Sequence, residues 1–329
     1  MKFQIIAEIG SVHDGSFGNA CKLVEAAAAC GADVVKFQTH IADAETLADA
    51  PSPAYFKGEP RLDYFKRTAF SKEQWITIKE VCRSANVKFL SSPFSLEAVD
   101  LLEEIGIDTY KIPSGEVSNV PLLTYVAKTG KPVIVSSGMS NWKELDEAVN
   151  VLSKGGPLSV MQCTSAYPCP PEKVGLNIIR EMIGRWNLPV GYSDHTLGDA
   201  ASFAAAALGA SSIEKHFTFS KLMYGSDAAN SMEPADFKRF CTGLKEIWKM
   251  LENPVDKNDL SDLTDMKRIF EKSIVVNRPL SSGDIISAGD LAYKKPGDGI
   301  PASQWKSIIG RKVNKELPVN YKLRPEDLC

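Results

Sequence analysis

Short runs rich in β-branched and aromatic residues alternate with longer segments rich in Ala, Leu, Glu and Lys along about 250 residues of the chain. The longer segments have helical length, as in Asn19–Cys30, Ser71–Ala85, Leu96–Ile105 and Trp142–Ser153. Strands that alternate with helices are typical of βαβ units in a parallel sheet. The eight predicted strands are Phe3–Gly10, Val34–His40, Lys88–Phe94, Thr109–Gly115, Pro132–Gly138, Leu158–Ser165, Val190–Asp194 and Ser211–Thr218.

Eight such units in about 250 residues match the strand count and size of a closed (β/α)₈ TIM barrel. A doubly wound open sheet would normally have fewer strands. One that binds a dinucleotide would carry Gly-x-Gly-x-x-Gly after its first strand, and the sequence lacks that motif. We therefore expect residues 1–251 to form an α/β barrel domain.

The regular alternation ends after residue 251. The following text, ENPVDKNDLSDLTD, is acidic and weakly periodic, so we read residues 252–271 as a linker. Residues 272–329 are turn-rich with short apolar stretches. We expect them to fold as a small separate domain.

Composition narrows the class of protein. Of the 329 residues, 44% are hydrophobic and 24% are charged, as in ordinary soluble domains. The formal net charge of −3 argues against general nucleic-acid binding and against a polybasic membrane anchor. The longest uncharged apolar stretch, Ala200–Ile213, is shorter than the roughly 20 residues that cross a bilayer. Seven cysteines without a Cys-x-x-Cys pair, and a carboxylate at Glu8 before any signal-length apolar run, favour a cytoplasmic location.

Polar and charged side chains gather where the predicted strands end. In a parallel barrel these ends meet at one mouth, which carries the reactive groups. Because an unpaired charge in an apolar strand is strongly unfavourable, Lys and Glu at these positions favour a functional role over simple capping. The groups are Glu8; Lys36, Gln38 and His40; Ser92; Lys111, Ser114 and Glu116; Ser136; Ser165 and Tyr167; Ser193, Asp194 and His195; and Glu214, Lys215 and His216.

Two features of this set indicate an anion and a metal. Lys36 and Lys111 face the same predicted mouth, and an ammonium group is a point charge suited to phosphate or carboxylate. His195 and His216 lie 21 residues apart, about one βα unit. They fit either two ligands of a divalent cation or two ordinary hydrogen-bonded histidines. His40, like His13, is a substrate contact or a loop residue.

Nine segments in the barrel domain and two in the tail carry a family resemblance. The tail segments are SIVVNRPLSSGDIISAGDLAYKKPGDG at 273–299 and IIGRKV at 308–313. The barrel segments are IIAEIGSVHDG at 5–15, GADVVKFQTH at 31–40, FLSSPFS at 89–95, YKIPSGE at 110–116, PVIVSSGMS at 132–140, QCTSAYP at 162–168, GYSDHTLG at 191–198 and IEKHFT at 213–218, followed by GSDAANSMEP at 225–234. In this order they resemble the sialic acid synthase family, whose barrel is followed by an antifreeze-like SAF domain of the β-clip type.

The resemblance implies an activity. Members condense phosphoenolpyruvate with an open-chain N-acetylhexosamine, typically N-acetylmannosamine or a relative, to give a nine-carbon 2-keto acid of the N-acetylneuraminate, legionaminate or pseudaminate type. Inorganic phosphate is released. The resemblance also implies a domain-swapped homodimer, in which each SAF domain caps the partner's barrel.

The resemblance further implies a role for each matching residue. The metal, usually Mn²⁺ with Mg²⁺ or Co²⁺ as alternatives, is held at His195 and His216. Glu8 and Glu116 lie close to the reacting carbons. The phosphoenolpyruvate site is implied at Lys36, Ser92, Lys111, Ser114, Ser136, Ser165 and Ser193. The sugar site is implied at Tyr167, Glu214, Asp227 and Lys295.

Two departures from the family pattern bear on the sugar. The family usually has Asn where Val12 stands, and the SAF loop usually has Arg where Lys295 stands. A lysine does not reproduce the guanidinium fork. Two other interpretations stay open at this point: another phosphoenolpyruvate-dependent barrel aldolase that makes a shorter 3-deoxy-2-keto acid, and a non-catalytic carbohydrate-binding module.

Overall fold

The computed structural model describes residues 3–51, 59–225 and 227–329. Within them the chain divides into two compact units, with the division between Asn253 and Pro254. In the described part of the chain, no helix is both long enough and apolar enough to span a membrane.

The first unit is built around a closed barrel of eight parallel strands, with β1 paired to both β2 and β8. This confirms the predicted (β/α)₈ barrel. The strands are β1 Gln4–Gly10, β2 Val34–Thr39, β3 Lys88–Pro93, β4 Tyr110–Ile112, β5 Val133–Ser136, β6 Leu158–Cys163, β7 Val190–Asp194 and β8 Ser212–His216.

Helices follow the strands and surround the barrel. Their starts carry the expected caps: the Ser16 hydroxyl accepts from the Asn19 backbone N–H, and Ser71 forms a capping box with Gln74. The helices of this unit are α1 Phe17–Cys30, α2 Ala42–Glu45, α3 Arg61–Thr68, α4 Lys72–Ser84, α5 Leu96–Glu104, α6 Val120–Lys128, α7 Trp142–Leu152, α8 Leu176–Trp186, α9 Ala200–Ala207 and α10 Pro234–Glu252.

Because side chains alternate along a strand, every second residue points into the barrel, and the inward-pointing residues form an apolar layer with polar side chains above it. Ile6, Val34, Leu90, Ile134 and Met161 form a buried cluster of their own. Two residues further along the same strands, on the same face, stand Glu8, Lys36, Ser92, Ser136 and Cys163. The inner face of the barrel therefore changes from apolar to polar as each strand approaches its carboxyl end.

The intervening residues point outward and pack under the helices. On β1, Ile5, Ala7 and Ile9 belong to the large outer core. On β7 and β8, Asp194 and Lys215 take this outer face, where their side chains form an ion pair of 3.0 Å. The structure thus separates these two residues from the mouth, although the sequence groups them with its strand ends.

The second unit contains helices α11 Thr264–Phe270 and α12 Trp305–Ile308 and two strands, β9 Ser273–Val276 and β10 Leu291–Lys294. The strands pair in antiparallel fashion. Its own core includes Ile274, Val276, Leu280, Ile300 and Leu323. This core is built from short apolar runs that are separated by turns, which explains why this part of the sequence is rich in turn residues.

Candidate active site

A cavity of about 420 Å³ lies at the carboxyl ends of the barrel strands. This is the end at which such barrels carry their reactive groups. The sequence-predicted residues that line it are Glu8, Lys36, Lys111, Ser114, Ser136, Ser165, Tyr167, Ser193, His195, Glu214, His216 and Asp227.

Two lysines and two glutamates form a buried cluster in this cavity. The Lys36 Nζ atom lies 2.9 Å from Glu214 Oε1 and 3.2 Å from Glu8 Oε2, and Lys111 Nζ lies 3.5 Å from Glu214 Oε2. All four side chains are at most 5% exposed. Glu214 is therefore shared between two ammonium groups.

Burial and neighbouring charge set the ionisation of the cluster. Burial raises the pKa of Glu8 to about 7, with Lys36 opposing the rise and Glu214 adding to it. Burial also acts to raise the pKa of Glu214, but Lys111 and Lys36 outweigh it and hold that pKa well below its usual range. For Lys111, burial lowers the pKa, with Glu214 opposing and Lys36 adding to the effect. Glu8 is thus the carboxyl group of the pair that can carry a proton near neutral pH.

Serine hydroxyl groups line the cavity beside the cluster, and one of them contacts the Lys111 ammonium. Lys111 Nζ donates to Ser136 Oγ over 2.5 Å, and Ser114 Oγ accepts from the Gly138 backbone N–H over 3.0 Å. Ser193 Oγ donates to Glu214 Oε1 over 3.2 Å. Ser92 Oγ, by contrast, is buried with no hydrogen-bond partner among the described residues. A buried hydroxyl without a partner is a position where a ligand oxygen would be stabilising.

The two histidines lie next to each other beside Tyr167. The His195 and His216 ring centroids are 5.7 Å apart, and the Tyr167 ring is 4.1 Å from that of His195. His195 Nδ1 lies 2.8 Å from the Thr164 carbonyl oxygen, so Nδ1 donates, and the neutral ring carries its lone pair on Nε2. Burial acts to lower the pKa of His195, but Cys163 and the Thr164 carbonyl oxygen outweigh it and raise that pKa. Burial lowers the pKa of His216 to about 4, with His195 and Lys36 contributing, and leaves that ring neutral at physiological pH.

These rings have the properties of metal ligands. A divalent cation takes the lone pair of a neutral imidazole. Nδ1 of His216 is buried and has no hydrogen-bond partner within the described ranges. Across residues 3–51, 59–225 and 227–329, no group of three or more His, Cys, Asp and Glu side chains is placed to hold a metal. A cation bound at His195 and His216 would take two imidazole ligands from them.

Comparison with known proteins decides the family. Residues 23–256 match the model of the NeuB family, and residues 271–328 match that of the SAF domain. The chain belongs to the NeuB family. The predicted resemblance to sialic acid synthases and the predicted SAF domain are both confirmed.

Relatives of this NeuB-family chain include synthases of legionaminic, pseudaminic and N-acetylneuraminic acid. The N,N'-diacetyllegionaminic acid synthase of Campylobacter jejuni is 38% identical over 330 residues, which cover 98% of this chain and 97% of the relative. The pseudaminic acid synthase of Helicobacter pylori is 29% identical over a match that covers 99% of this chain and 97% of the relative. The crystal structure of the N-acetylneuraminic acid synthetase of Leptospira borgpetersenii superimposes with a TM-score of 0.73 at 29% identity, covering 81% of this chain and 91% of that one.

Three predicted residues of this NeuB-family chain do not line the cavity. Glu116 follows β4 in a short 3-10 turn, is partly buried and accepts from Asn119 Nδ2 over 2.8 Å; burial raises its pKa. Ser92 lies deeper on β3. Lys295 belongs to the second unit, where it is exposed and lies over the Phe270 ring at 4.9 Å. Ser226, inside the motif at 225–234, is outside the described residues.

Two strand-end residues, Gln38 and His40, also line the cavity, and so do residues that the sequence did not single out. Gln38 and His40 end β2, and Gln38 shares the inner face of that strand with Lys36, so strand alternation alone places it in the mouth. Arg61, Tyr64 and Phe65 come from α3, within the long connection after β2. No strand-end pattern marks those three, and only the folded chain shows them.

Proposed function

We propose that this protein is a nonulosonate synthase. It condenses phosphoenolpyruvate with an open-chain amino sugar of the N-acetylmannosamine type, and it releases phosphate and a nine-carbon 2-keto acid. The observation that carries the proposal is the pair of buried lysines, Lys36 and Lys111, that share Glu214 in the mouth of a NeuB-family barrel. Its relatives' names point to the same class of product.

The lysines support a site for a small, highly charged anion. Because Glu214 is divided between two ammonium groups and Glu8 has a pKa of about 7, the cluster's carboxylates only partly compensate its lysines. Phosphate and carboxylate oxygens would complete that compensation with charge-assisted hydrogen bonds. In this proposal Lys111, Ser114, Ser136, Ser165 and Ser193 bind the phosphate, and Lys36 and Ser92 bind the carboxylate.

The reaction needs proton transfers that the carboxyl groups can supply. Carbon 3 of phosphoenolpyruvate bonds to the aldehyde carbon, whose oxygen takes up a proton. A water molecule adds at carbon 2 and loses one proton. As the bond between carbon 2 and the phosphate oxygen breaks, the new hydroxyl gives its remaining proton to the departing phosphate and becomes the ketone. Glu8, with a pKa of about 7, is suited to general acid–base work at neutral pH, and Glu116 is the second candidate.

A divalent cation, most simply Mn²⁺, belongs to the same proposal. His195 and His216 would hold it, since both rings can offer a lone pair and their centroids are 5.7 Å apart. When bound, such a cation supplies Lewis acidity toward the sugar's carbonyl oxygen. Tyr167, Glu214 and Asp227 would contact the sugar beside it.

Among the amino sugars of this class, we propose a 2,4-diacetamido-trideoxyhexose of the legionaminic type. The relative of that type is 38% identical to this chain, against 29% for the pseudaminic acid synthase. The cavity also has apolar side chains in its wall, including Phe65, Phe94 and Met139. Methyl groups of acetamido and 6-deoxy substituents would bury apolar area against such a wall.

We further propose a cytoplasmic, domain-swapped homodimer in which Lys295 approaches the sugar in the partner's barrel. Helix α11 and the residue before it support an interface, because Leu263, Met266, Ile269 and Phe270 are each 48–55% accessible. The seven cysteines are free thiols, which suits a reducing compartment. Light scattering after size-exclusion chromatography tests the dimer, and a single 35.9 kDa species would contradict it.

Phosphate release from phosphoenolpyruvate tests the activity. We expect release that depends on both the sugar and Mn²⁺ and that stops with EDTA. Lys111→Met should reduce kcat/KM at least tenfold, because a charge-assisted contact contributes about 1.5–3 kcal/mol. The matched control is Lys131→Met, whose ammonium is paired with Glu103 away from the cavity. Equal activity of Lys111→Met and Lys131→Met would contradict the assignment.

A further inference from the structure

Four side chains form a hydrogen-bonded row, and three of them, Glu8, Gln38 and His40, line the cavity. Gln38 Nε2 donates to Glu8 Oε1 over 2.9 Å, and Gln38 Oε1 lies 3.1 Å from His40 Nε2. On the other side of the ring, His40 Nδ1 lies 2.8 Å and 3.0 Å from the two Glu45 carboxyl oxygens. The row therefore joins Glu8 on β1 to Glu45 on α2 through two residues of the β2 end.

The His40 ring is held in a fixed plane. It is stacked between Phe65, with centroids 3.8 Å apart, and Phe94, with centroids 4.2 Å apart, at interplanar angles of 16° and 20°. The His40 and Glu45 side chains are each 5% exposed. Both ring faces are covered, so the polar contacts of His40 lie in the ring plane. Two aromatic faces also stabilise a cation placed between them.

Hydrogen-bond polarity runs in one direction along this row. A carboxylate accepts, so Glu45 requires a proton on His40 Nδ1. An amide has a donor end and an acceptor end, so a Gln38 that donates to Glu8 presents its oxygen to His40 Nε2. That oxygen requires a second ring proton. The observed orientation therefore goes with a doubly protonated His40 and an accepting, ionised Glu8.

Loss of one ring proton removes this match. With Nδ1 still donating to Glu45, the His40 Nε2 atom becomes an acceptor and faces the Gln38 oxygen. Two acceptors in contact are unfavourable, and turning the amide by 180° relieves the contact at His40. The turned amide then presents its oxygen to Glu8, which loses its donor. The two amide orientations thus belong to two protonation states of the ring.

We propose that His40 is a positioning residue for Glu8, acting through Gln38: the number of protons on its ring decides which end of the Gln38 amide faces the Glu8 carboxyl group. The inference rests on the proposed function only in placing Glu8 beside the reacting atoms. Glu45 orients the ring, and the stack of Phe65 and Phe94 fixes its plane.

Charged groups approach both ends of the row. Near His40, besides Glu45, they are Glu116, which follows β4, His13, which follows β1, and Arg61 of α3, whose guanidinium carbon lies 5.2 Å from the centroid of the Phe65 ring. Those that act on Glu8 are Lys36, Glu214 and Asp227. None of these replaces the Gln38 amide as the donor to Glu8 Oε1 in the described hydrogen bonds. Control of that one contact therefore passes through His40.

Nuclear magnetic resonance of the free, ¹⁵N-labelled protein tests the coupling without substrate. The chain has only four histidines, and the His40 ring and Gln38 amide signals are assigned from their loss in His40→Phe and Gln38→Met. In a pH titration, we expect the Gln38 side-chain amide signals to change together with the His40 ring nitrogen signals and to share their midpoint. In Glu45→Gln, both midpoints should move by the same amount.

Matched histidine variants give the control. His40→Phe keeps an aromatic ring between Phe65 and Phe94 and should abolish the pH-dependent change at Gln38, whereas His13→Phe should preserve it. A Gln38 amide that stays constant while His40 titrates, or that changes equally in His40→Phe, would overturn the proposal. Glu45→Gln keeps the proposal testable if His40→Phe does not fold.

Activity supplies a second readout. His40→Phe should lower kcat about tenfold, the effect of losing one hydrogen bond to a charged group, with the KM for phosphoenolpyruvate changed less than twofold. Coupled NMR signals with unchanged kcat would overturn the positioning role at Glu8. Coupled NMR signals in a wild-type protein that releases no phosphate with any sugar would contradict the proposed function and leave the coupling established.

Discussion

Lys215 and Asp194 form an ion pair that is buried outside the barrel, between β7, β8 and α9. The two side chains are 1% and 0% exposed, and Lys215 Nζ lies 3.0 Å from Asp194 Oδ2. Lys215 also donates to the carbonyl oxygens of Thr196 and Gly198, over 2.5 Å and 2.8 Å. Each residue directly adjoins a histidine of the candidate metal site, so the pair fixes the backbone at both histidines.

Replacing Lys215 with Met isolates the contribution of this pair. The substitution keeps the apolar volume but leaves the Asp194 carboxylate buried without its cation. Hydrogen bonds from Ser202 Oγ, at 2.6 Å, and from the Thr196 backbone N–H, at 2.8 Å, would remain. Removing one partner of a buried ion pair costs about 3–5 kcal/mol. That is a large share of a total stability of about 5–15 kcal/mol.

Urea unfolding followed by tryptophan fluorescence measures the loss. We expect Lys215→Met to lower the free energy of unfolding by about 3–5 kcal/mol. Lys22→Met is the matched control, because Lys22 pairs with Glu25 on the solvent side of α1 with 68% of its side chain exposed, and its stability should equal that of the wild type. A loss below about 1 kcal/mol for Lys215→Met would refute the reasoning, since that is the range of surface pairs.

Three further predictions concern ionisation and the unpaired hydroxyl. The pH profile of phosphate release should show an ionisation near 7, which Glu8→Gln removes. Because Lys36 lowers the pKa of Glu8, Lys36→Met should move this ionisation to higher pH. A profile that is unchanged in Glu8→Gln would contradict this prediction. Burial lowers the pKa of His13 to about 4. When the pH falls from 7.5 to 5, His13 therefore takes up a proton in the unfolded chain but not in the folded one, and the free energy of unfolding should decrease by about 2 kcal/mol. Urea unfolding at both pH values should show a correspondingly smaller loss in His13→Phe, and an equal loss would count against it. Ser92→Ala should leave the unfolding free energy equal or slightly higher, because the hydroxyl has no protein partner in the described structure, while the KM for phosphoenolpyruvate rises severalfold; a clear loss of stability would show that the hydroxyl is paired.

The barrel and much of its mouth follow from strand periodicity. Because side chains alternate along a strand, Ile6 and Val34 in the apolar layer place Glu8 and Lys36 on the same inner face two residues later. The sequence predicts the strands to within a few residues, so it also predicts which side chains meet. The same step from Lys36 leads to Gln38, which the sequence groups with the strand ends and which lines the cavity.

Other features depend on the packing of distant segments. Arg61 and Phe65 reach the cavity from α3, which lies in a connection without strand-end signals. Lys215 lies between two mouth residues in sequence, and only the register of β8 against β7 assigns it to the outer face, where it pairs with Asp194. The raised pKa of Glu8 likewise depends on its depth and on Glu214, which comes from a strand more than 200 residues away.

The most direct test of the central claim is the stoichiometry of phosphate and product with a panel of acceptor sugars. The panel holds N-acetylmannosamine, its 6-phosphate and the 2,4-diacetamido-trideoxyhexoses, each with phosphoenolpyruvate and Mn²⁺, with and without EDTA. The account predicts one phosphate released for each nine-carbon 2-keto acid detected by mass spectrometry, most rapidly with the legionaminic-type sugar, and no turnover with EDTA. Folded, metal-loaded protein that releases no phosphate with any of these sugars would contradict it.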